Sequence, residues 1–287
     1  MPGKTILITG TSTGFGHLTA ELLARKGHRV FASMRDIVGK NRSYAAALRE
    51  QQIAVVELDV TNQASIDRAV KGVLDQTGRI DVLVNNAGIA SAGVTEAFTT
   101  DQVRGLFEVN VFGLMRVTRA VLPVMRRQRD GLVINIGSIL GRVTFPFFGI
   151  YGASKFAVEA LTDSLRYELS QLGVEVCLVQ PSAYPTRMYS TMQQPSDKGR
   201  ATEYGKIAAI PAAMFEHFMT MFQAPGAPNP RQVAEAVARL VAQPKGDRPA
   251  RIVVGAAFGS DTVNAQTASV QAQVIEALRL GHLAKVA

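Results

Sequence analysis

Apolar residues in this chain gather in short unbroken runs; they do not alternate with polar ones. Runs at Ile6–Thr9, Val30–Ser33, Ala54–Leu58, Val82–Asn85, Leu132–Ile136, Glu175–Val179 and Arg251–Val254 read as seven strands. Continuous apolar character is expected of strands covered on both faces, because neighbouring side chains point to opposite sides and both sides are dry. Segments with apolar residues at helical spacing separate the first six runs. Strand and helix in alternation predict an α/β fold with a parallel, doubly wound sheet and helices on both faces. No linker, repeat or low-complexity tract interrupts the pattern, so residues 1–287 read as one domain. Within it, 188–230 reads as an insertion near the substrate and 260–287 as a C-terminal helical extension.

Composition narrows the class. A chain of 287 residues with 47% hydrophobic content can bury a large core. The charge of +8 comes from scattered residues, apart from Arg126, Arg127 and Arg129 at an expected helix end, where cations complement the helix dipole. No recognition helix or aromatic-basic platform accompanies them, so a nucleic-acid partner is not expected. The single cysteine, Cys177, lies inside the sixth strand and reads as a core residue. No zinc or calcium spacing occurs, and no metal site is expected. Met1 is followed almost at once by a strand, and no apolar run approaches the roughly 18 residues of a membrane-span candidate. The expectation is a soluble, cytoplasmic protein.

Two segments carry chemistry. The first strand runs into Gly10-Thr11-Ser12-Thr13-Gly14-Phe15-Gly16 and then into a helical pattern. A strand, glycine turn and helix bring backbone N–H groups and a positive helix end close to a pyrophosphate, as in Rossmann-type dinucleotide sites. The second segment is Tyr151-Gly152-Ala153-Ser154-Lys155, with Ser138 thirteen residues before Tyr151. Four residues apart on a helix, the phenol and the ammonium share a face. A nearby cation favours phenolate, which would draw Tyr151 toward a useful range from its free pKa of about 10.

Together these residues resemble the short-chain dehydrogenase/reductase family over nearly the whole chain. The T-G-x-x-x-G-x-G turn stands as Thr9 to Gly16, N-N-A-G as Asn85-Asn86-Ala87-Gly88, and the lone helical asparagine as Asn110. Ser and Tyr-x-x-x-Lys stand as Ser138, Tyr151 and Lys155. The resemblance implies hydride transfer between a nicotinamide and a carbonyl carbon, with Tyr151 donating the proton and Ser138 binding the oxygen. Lys155 would tune Tyr151 and hold the nicotinamide ribose, and Asn110 would hold a water linking Lys155 to solvent. It also implies cofactor contacts from Gly10, Ser12, Thr13, Gly14, Phe15 and Gly16. Further contacts would come from Asp59 and Val60, from Asn86, Ala87 and Gly88, and from Pro181 and Thr186. Asp59 would read adenine, or serve only as a helix cap with Thr61 as competitor; Asn86 could merely brace the sheet. The family's P-G-x-x-x-T reads Pro181-Ser182-Ala183-Tyr184-Pro185-Thr186 here, so an altered backbone is expected where the glycine is Ser182.

Met34 stands at the end of the second strand where NAD-dependent relatives usually carry an acid, and Arg35 follows it. A guanidinium there suits a 2′-phosphate, so NADP(H) is the expected cofactor; the alternative is Asp36 on the ribose. The expected pocket walls are apolar: Ser91–Val94, Val143–Phe148, and Met and Phe residues between Met188 and Phe222. They suit a hydrophobic ketone, aldehyde or secondary alcohol. The family commonly forms homodimers through the helices of Asn110 and Tyr151, or homotetramers. The other function class is a non-catalytic NADP(H) sensor of the same fold, although such a protein would usually lack one of Ser138, Tyr151 and Lys155. An epimerase of the related extended group would carry a different glycine spacing.

Overall fold

The computed structural model describes residues 3–287; positions 1 and 2 of the expected domain lie outside it. The elements run β1 (Thr5–Thr9), α1 (Gly14–Arg25), β2 (Arg29–Met34), α2 (Arg42–Glu50), β3 (Ala54–Glu57) and α3 (Gln63–Thr77). They continue with β4 (Val82–Asn85), α4 (Thr100–Phe107), α5 (Leu114–Gln128), β5 (Gly131–Ile136), α6 (Gly149–Ser170) and β6 (Val174–Pro181). The chain then forms α7 (Lys198–Glu203), α8 (Ile210–Gln223), α9 (Arg231–Ala242), β7 (Arg251–Val254) and α10 (Ser260–Ala277). All strand pairs are parallel, in the order β3-β2-β1-β4-β5-β6-β7.

The unbroken apolar runs have a direct cause. On one face Ile6, Ile8, Val82, Val84 and Ile134 pack with α1, α2 and α9 through Leu23, Leu48 and Val237. Between them in sequence, Leu7, Leu83 and Val133 face the other way, onto α3, α5 and α6 through Val70, Val121 and Leu165. Each strand therefore feeds two cores, and a polar residue in mid-strand would fall into one of them. Cys177 is fully buried in the first core, and burial pushes its thiol up to about 11, which leaves it protonated.

Winding reverses at β1, whose neighbours are β2 and β4. The crevice beyond the C-terminal ends of β1 and β4 is where ligands bind in open α/β sheets. Among the described residues, no helix is long and apolar enough to cross a membrane.

Candidate active site

The turn after β1 is built around its glycines. Gly10 has φ +69°, and a Cβ there would fall 2.8 Å from the Ala87 Cα. A Cβ on Gly16 would meet the Asn86 side chain and stand 2.5 Å from the Gly10 carbonyl oxygen. Neither position has room for a side chain. Asn86 explains the second restriction: its Nδ2 donates to the carbonyls of Thr9 and Gly10, both at 2.9 Å. Thr9 Oγ1 accepts in return from the N–H groups of Asn86 and Ala87, both at 3.0 Å. The bracing role considered for Asn86 is therefore present, and it acts on the glycine turn.

Helix α1 begins at this turn with no side-chain cap and no acid in its first turn. Its leading N–H groups and its positive dipole end are left for a ligand, which is the donor set a dinucleotide pyrophosphate requires. Thr186 approaches from the far side, with its Cβ 3.7 Å from the place of a Gly14 Cβ. A nicotinamide dinucleotide fits these residues.

One cleft of about 540 Å³ runs from this turn to Tyr151. It is lined by Gly10, Ser12, Thr13, Gly14, Phe15, Arg35, Asp59, Val60, Asn86, Ala87 and Gly88, and at the other end by Ser138, Tyr151, Lys155, Pro181 and Thr186. Gly16 and Asn110 do not line it. Gly16 acts behind the wall by allowing Asn86 in, and Asn110 acts through its neighbours.

Asn110 is 2% exposed, in a single π-helical stretch, Glu108–Gly113, between α4 and α5. Such wide turns are rare and interrupt the i→i−4 ladder, so the helix that carries Asn110 runs on from α4 into α5 but is locally widened here. The carboxamide is fully used. It donates to Ile89 O (2.9 Å) and Ser154 Oγ (3.1 Å), and accepts from Ile89 N (2.9 Å). Ser154 Oγ in turn donates to Tyr151 O at 2.7 Å. Asn110 thereby ties the loop after β4 to the helix of Tyr151.

Tyr151 and Lys155 lie one turn apart on α6, both nearly buried, with Nζ 5.6 Å from the phenol ring centre. Lys155 Nζ donates to Ile136 O at 2.9 Å. The expected lowering of the phenol does not occur in the chain alone. Burial pushes Tyr151 up to about 12, against a smaller opposing pull from its hydrogen bond with Ser138. Burial also lowers Lys155, from 10.5 to about 8. Desolvation is the largest cause at both groups, which are buried together. The Tyr151 phenol is consequently protonated at neutral pH.

Ser138 follows β5 and caps a short 3₁₀ turn, Ile139–Gly141, by accepting from Leu140 N at 3.1 Å. Arg142, just beyond, pairs with Glu159 (3.0 Å), one turn after Lys155. Arg251 of β7 reaches Asp163 on the same helix at 2.5 Å. This network fixes the turn of Ser138 against the helix of Tyr151. A second polar ladder runs beneath: Asn85 Nδ2 donates to Thr118 Oγ1 and Asn135 Oδ1, and Asn135 Nδ2 donates to Thr162 Oγ1, each at 2.9 Å.

The structure bears on three of the alternatives weighed for these residues. Neither Asp59 nor Thr61 caps α3; Asn62 does, accepting from Ser65 N, while Asp59 accepts from the backbone and hydroxyl of Thr61. Ser182 does not disturb the strand end, since its N–H continues the pairing with Val254 O at 2.9 Å and it keeps an ordinary negative φ. The carboxylate of Asp36 is engaged by Lys40 N at 2.8 Å. Sequence reasoning missed Lys40, Asn41, Tyr44 and Arg187 at the Arg35 end of the cleft. Arg187 bonds Tyr44 across 143 positions, a contact that no local spacing signals.

A parallel α/β fold with a dinucleotide cleft opening onto a Ser, Tyr and Lys set defines a nicotinamide-dependent oxidoreductase class. The comparisons with known proteins identify which one. The model of the short chain dehydrogenase family matches residues 4–197. The chain is 34% identical over 246 residues to 3-ketodihydrosphingosine reductase of Bacteroides thetaiotaomicron, covering 85% of each chain. It superposes on a short-chain dehydrogenase/reductase from Burkholderia phymatum in complex with NAD, with TM-score 0.75, 25% identity and 95% of each chain covered. Actinorhodin polyketide ketoreductase with NADPH gives TM-score 0.74 at 27% identity, covering 91% of this chain and 99% of that one. This chain belongs to the short-chain dehydrogenase/reductase family.

The burial of Lys155 has a measurable consequence. Its folded pKa lies below the unfolded value, so from about pH 8 to 10.5 the unfolded chain holds more protons and stability rises with pH. The slope reaches at most about 1.4 kcal/mol per pH unit. Above pH 10 the raised Tyr151 works in the opposite direction. Denaturant unfolding without cofactor should show the stability of wild type gaining on that of Lys155→Met between pH 8 and pH 10. Parallel pH profiles would contradict the assignment.

Proposed function

We propose that the chain is an NADP(H)-dependent reductase of hydrophobic ketones or aldehydes, or a dehydrogenase of the matching secondary alcohols. The observation that carries this reading is the single cleft that joins Arg35 and the glycine turn to a protonated, buried Tyr151 within apolar walls. A bound nicotinamide supplies or accepts the hydride. Tyr151 donates the proton to the carbonyl oxygen, and Ser138 hydrogen-bonds that oxygen and holds it in line with the phenol. Lys155, held by Ile136 O, keeps a cation beneath the phenol as negative charge develops there. Asn110 keeps this part of α6 in register with the Ile89 backbone.

NADP(H) is favoured over NAD because Asp36 is engaged by its own turn and the buried Met34 offers no carboxylate, whereas Arg35 is exposed at the cleft. Lys40 and Arg187 add positive charge at the same end. The substrate class is supported by Ile139, Leu140, Phe145, Phe148 and Met192 around Tyr151. The named relative that reduces a 3-keto compound agrees with it. Exposed Phe112 (51%) and Phe156 (43%), beside Asn110 and on the helix of Tyr151, support a homodimer through these helices.

The test is consumption of NADPH, with NADH alongside, across aryl ketones, aliphatic ketones, keto esters and aldehydes. NADPH-dependent reduction of an apolar class is expected. Binding of NADPH without consumption, and no reaction of the matching alcohols with NADP+, would overturn the reading in favour of a cofactor sensor.

A further inference from the structure

The cleft does not account for all the apolar space beside Tyr151. A second cavity, of about 500 Å³, lies against it, bounded by Ala92–Val94, by Phe147 and Phe148, and by side chains of α7 and α8. A volume of this size is by itself that of a complete small-molecule pocket, which is about 300–1,000 Å³. The Ser91–Val94 segment, expected as a wall of the substrate pocket, supplies Ala92, Gly93 and Val94 to this second space and none of its residues to the first.

Four side chains, Phe148, Tyr189, Met192 and Phe218, line both cavities and form their common wall. Phe218 meets Phe148 edge-on with ring centres 6.4 Å apart, and lies 5.8 Å from Tyr189. The wall is one side chain thick and consists of rotatable aromatic rings and an unbranched thioether, which re-pack readily around an apolar ligand. Phe148 and Met192 also pack against the cluster that contains Tyr151, so the wall borders the chemistry directly. The charged residues of the second cavity, Lys198 and Glu216, are exposed and belong to its rim.

We propose that the second cavity receives an unbranched hydrocarbon tail of the substrate, which runs from the carbonyl at Tyr151 past Met192 and Phe218. The substrate is then a long-chain ketone or secondary alcohol, with the reacting carbon near one end of the chain. This inference rests on the reductase reading above. An apolar chain is the occupant because only three aromatic rings and a thioether part the cavity from the reaction site, with the Tyr189 hydroxyl as the one polar group among them, and because the charged residues of the cavity are exposed. A thin wall admits a polymethylene chain, whereas a fused ring system would have to displace all four side chains at once.

The experiment is a homologous series of methyl ketones, from butanone to dodecanone, reduced by wild type and by Ala208→Phe. Ala208 is a half-buried wall of the second cavity, outside the reaction cleft. In wild type, kcat/KM should rise up to about fourfold per methylene, equivalent to about 0.8 kcal/mol per buried CH₂, until the cavity is full. In Ala208→Phe the rise should stop at a shorter chain while butanone turnover is unchanged, which also shows that the variant is folded. Ala212→Phe, on the same wall, should act in the same way. A flat series in wild type, or the same rise in all three proteins, would overturn the proposal and leave the reductase reading intact. If no ketone of any length is reduced, the reductase reading fails, and calorimetric binding of dodecan-2-ol decides the cavity separately. Binding to wild type but not to Ala208→Phe supports it, and equal or absent binding overturns it.

Discussion

Tyr151→Phe should lower kcat by about 10² to 10⁴, the range of a lost general acid, while NADPH binds within a few fold of wild type. The substitution removes one oxygen and leaves the ring packed among Ala90, Leu106, Ile139 and Leu140. No cavity forms and no cofactor contact at the glycine turn is touched, so the melting temperature should change little. The effect should fall on kcat and not on the affinity for cofactor, because the phenol proton matters only as charge develops on the carbonyl oxygen. Steady-state kinetics with a cofactor titration by fluorescence checks this. Residual activity within tenfold of wild type would remove Tyr151 from the proton-donor role.

The second large effect concerns cofactor choice. Arg35→Ala should lower the NADPH-to-NADH ratio of kcat/KM by about 10- to 100-fold, in keeping with loss of a charge-assisted hydrogen-bond pair worth about 1.5–3 kcal/mol. NADH kinetics should hardly move, because Arg35 is exposed. Lys40 and Arg187 remain at that end of the cleft, so some preference for NADPH should survive. Melting temperatures and kinetics with both cofactors give the result directly. An unchanged ratio would move the 2′-phosphate site to those two residues or to none.

The strands were legible almost to the residue because they feed cores on both faces, and a short, mostly apolar run has few other meanings. The glycine turn was legible because Gly10 and Gly16 have no room for a Cβ, a constraint that leaves its mark in the sequence. Ser138, Tyr151 and Lys155 were legible as a set for a similar reason, since two share a helix face and the third ends a strand. Their electrostatics were not legible. A cation four residues away suggests a lowered phenol, but burial of both groups reverses the outcome, and burial depends on how β5, α6 and the loop after β6 come together. The π turn at Asn110 was not legible as such because it keeps helical composition. The Arg142–Glu159 and Arg251–Asp163 pairs and the Tyr44–Arg187 contact join distant segments, and no local pattern encodes them. The division of the apolar space into two cavities has the same cause, since it is set by α7 and α8 folding over the cleft.

The most direct measurement uses NADPH carrying deuterium at the transferable position of the nicotinamide, incubated with a long-chain methyl ketone, with the product analysed by mass spectrometry. The account predicts a secondary alcohol with one deuterium on the carbinol carbon, formed by wild type and lost in Tyr151→Phe. Bound cofactor with no labelled alcohol from any ketone or aldehyde would contradict it.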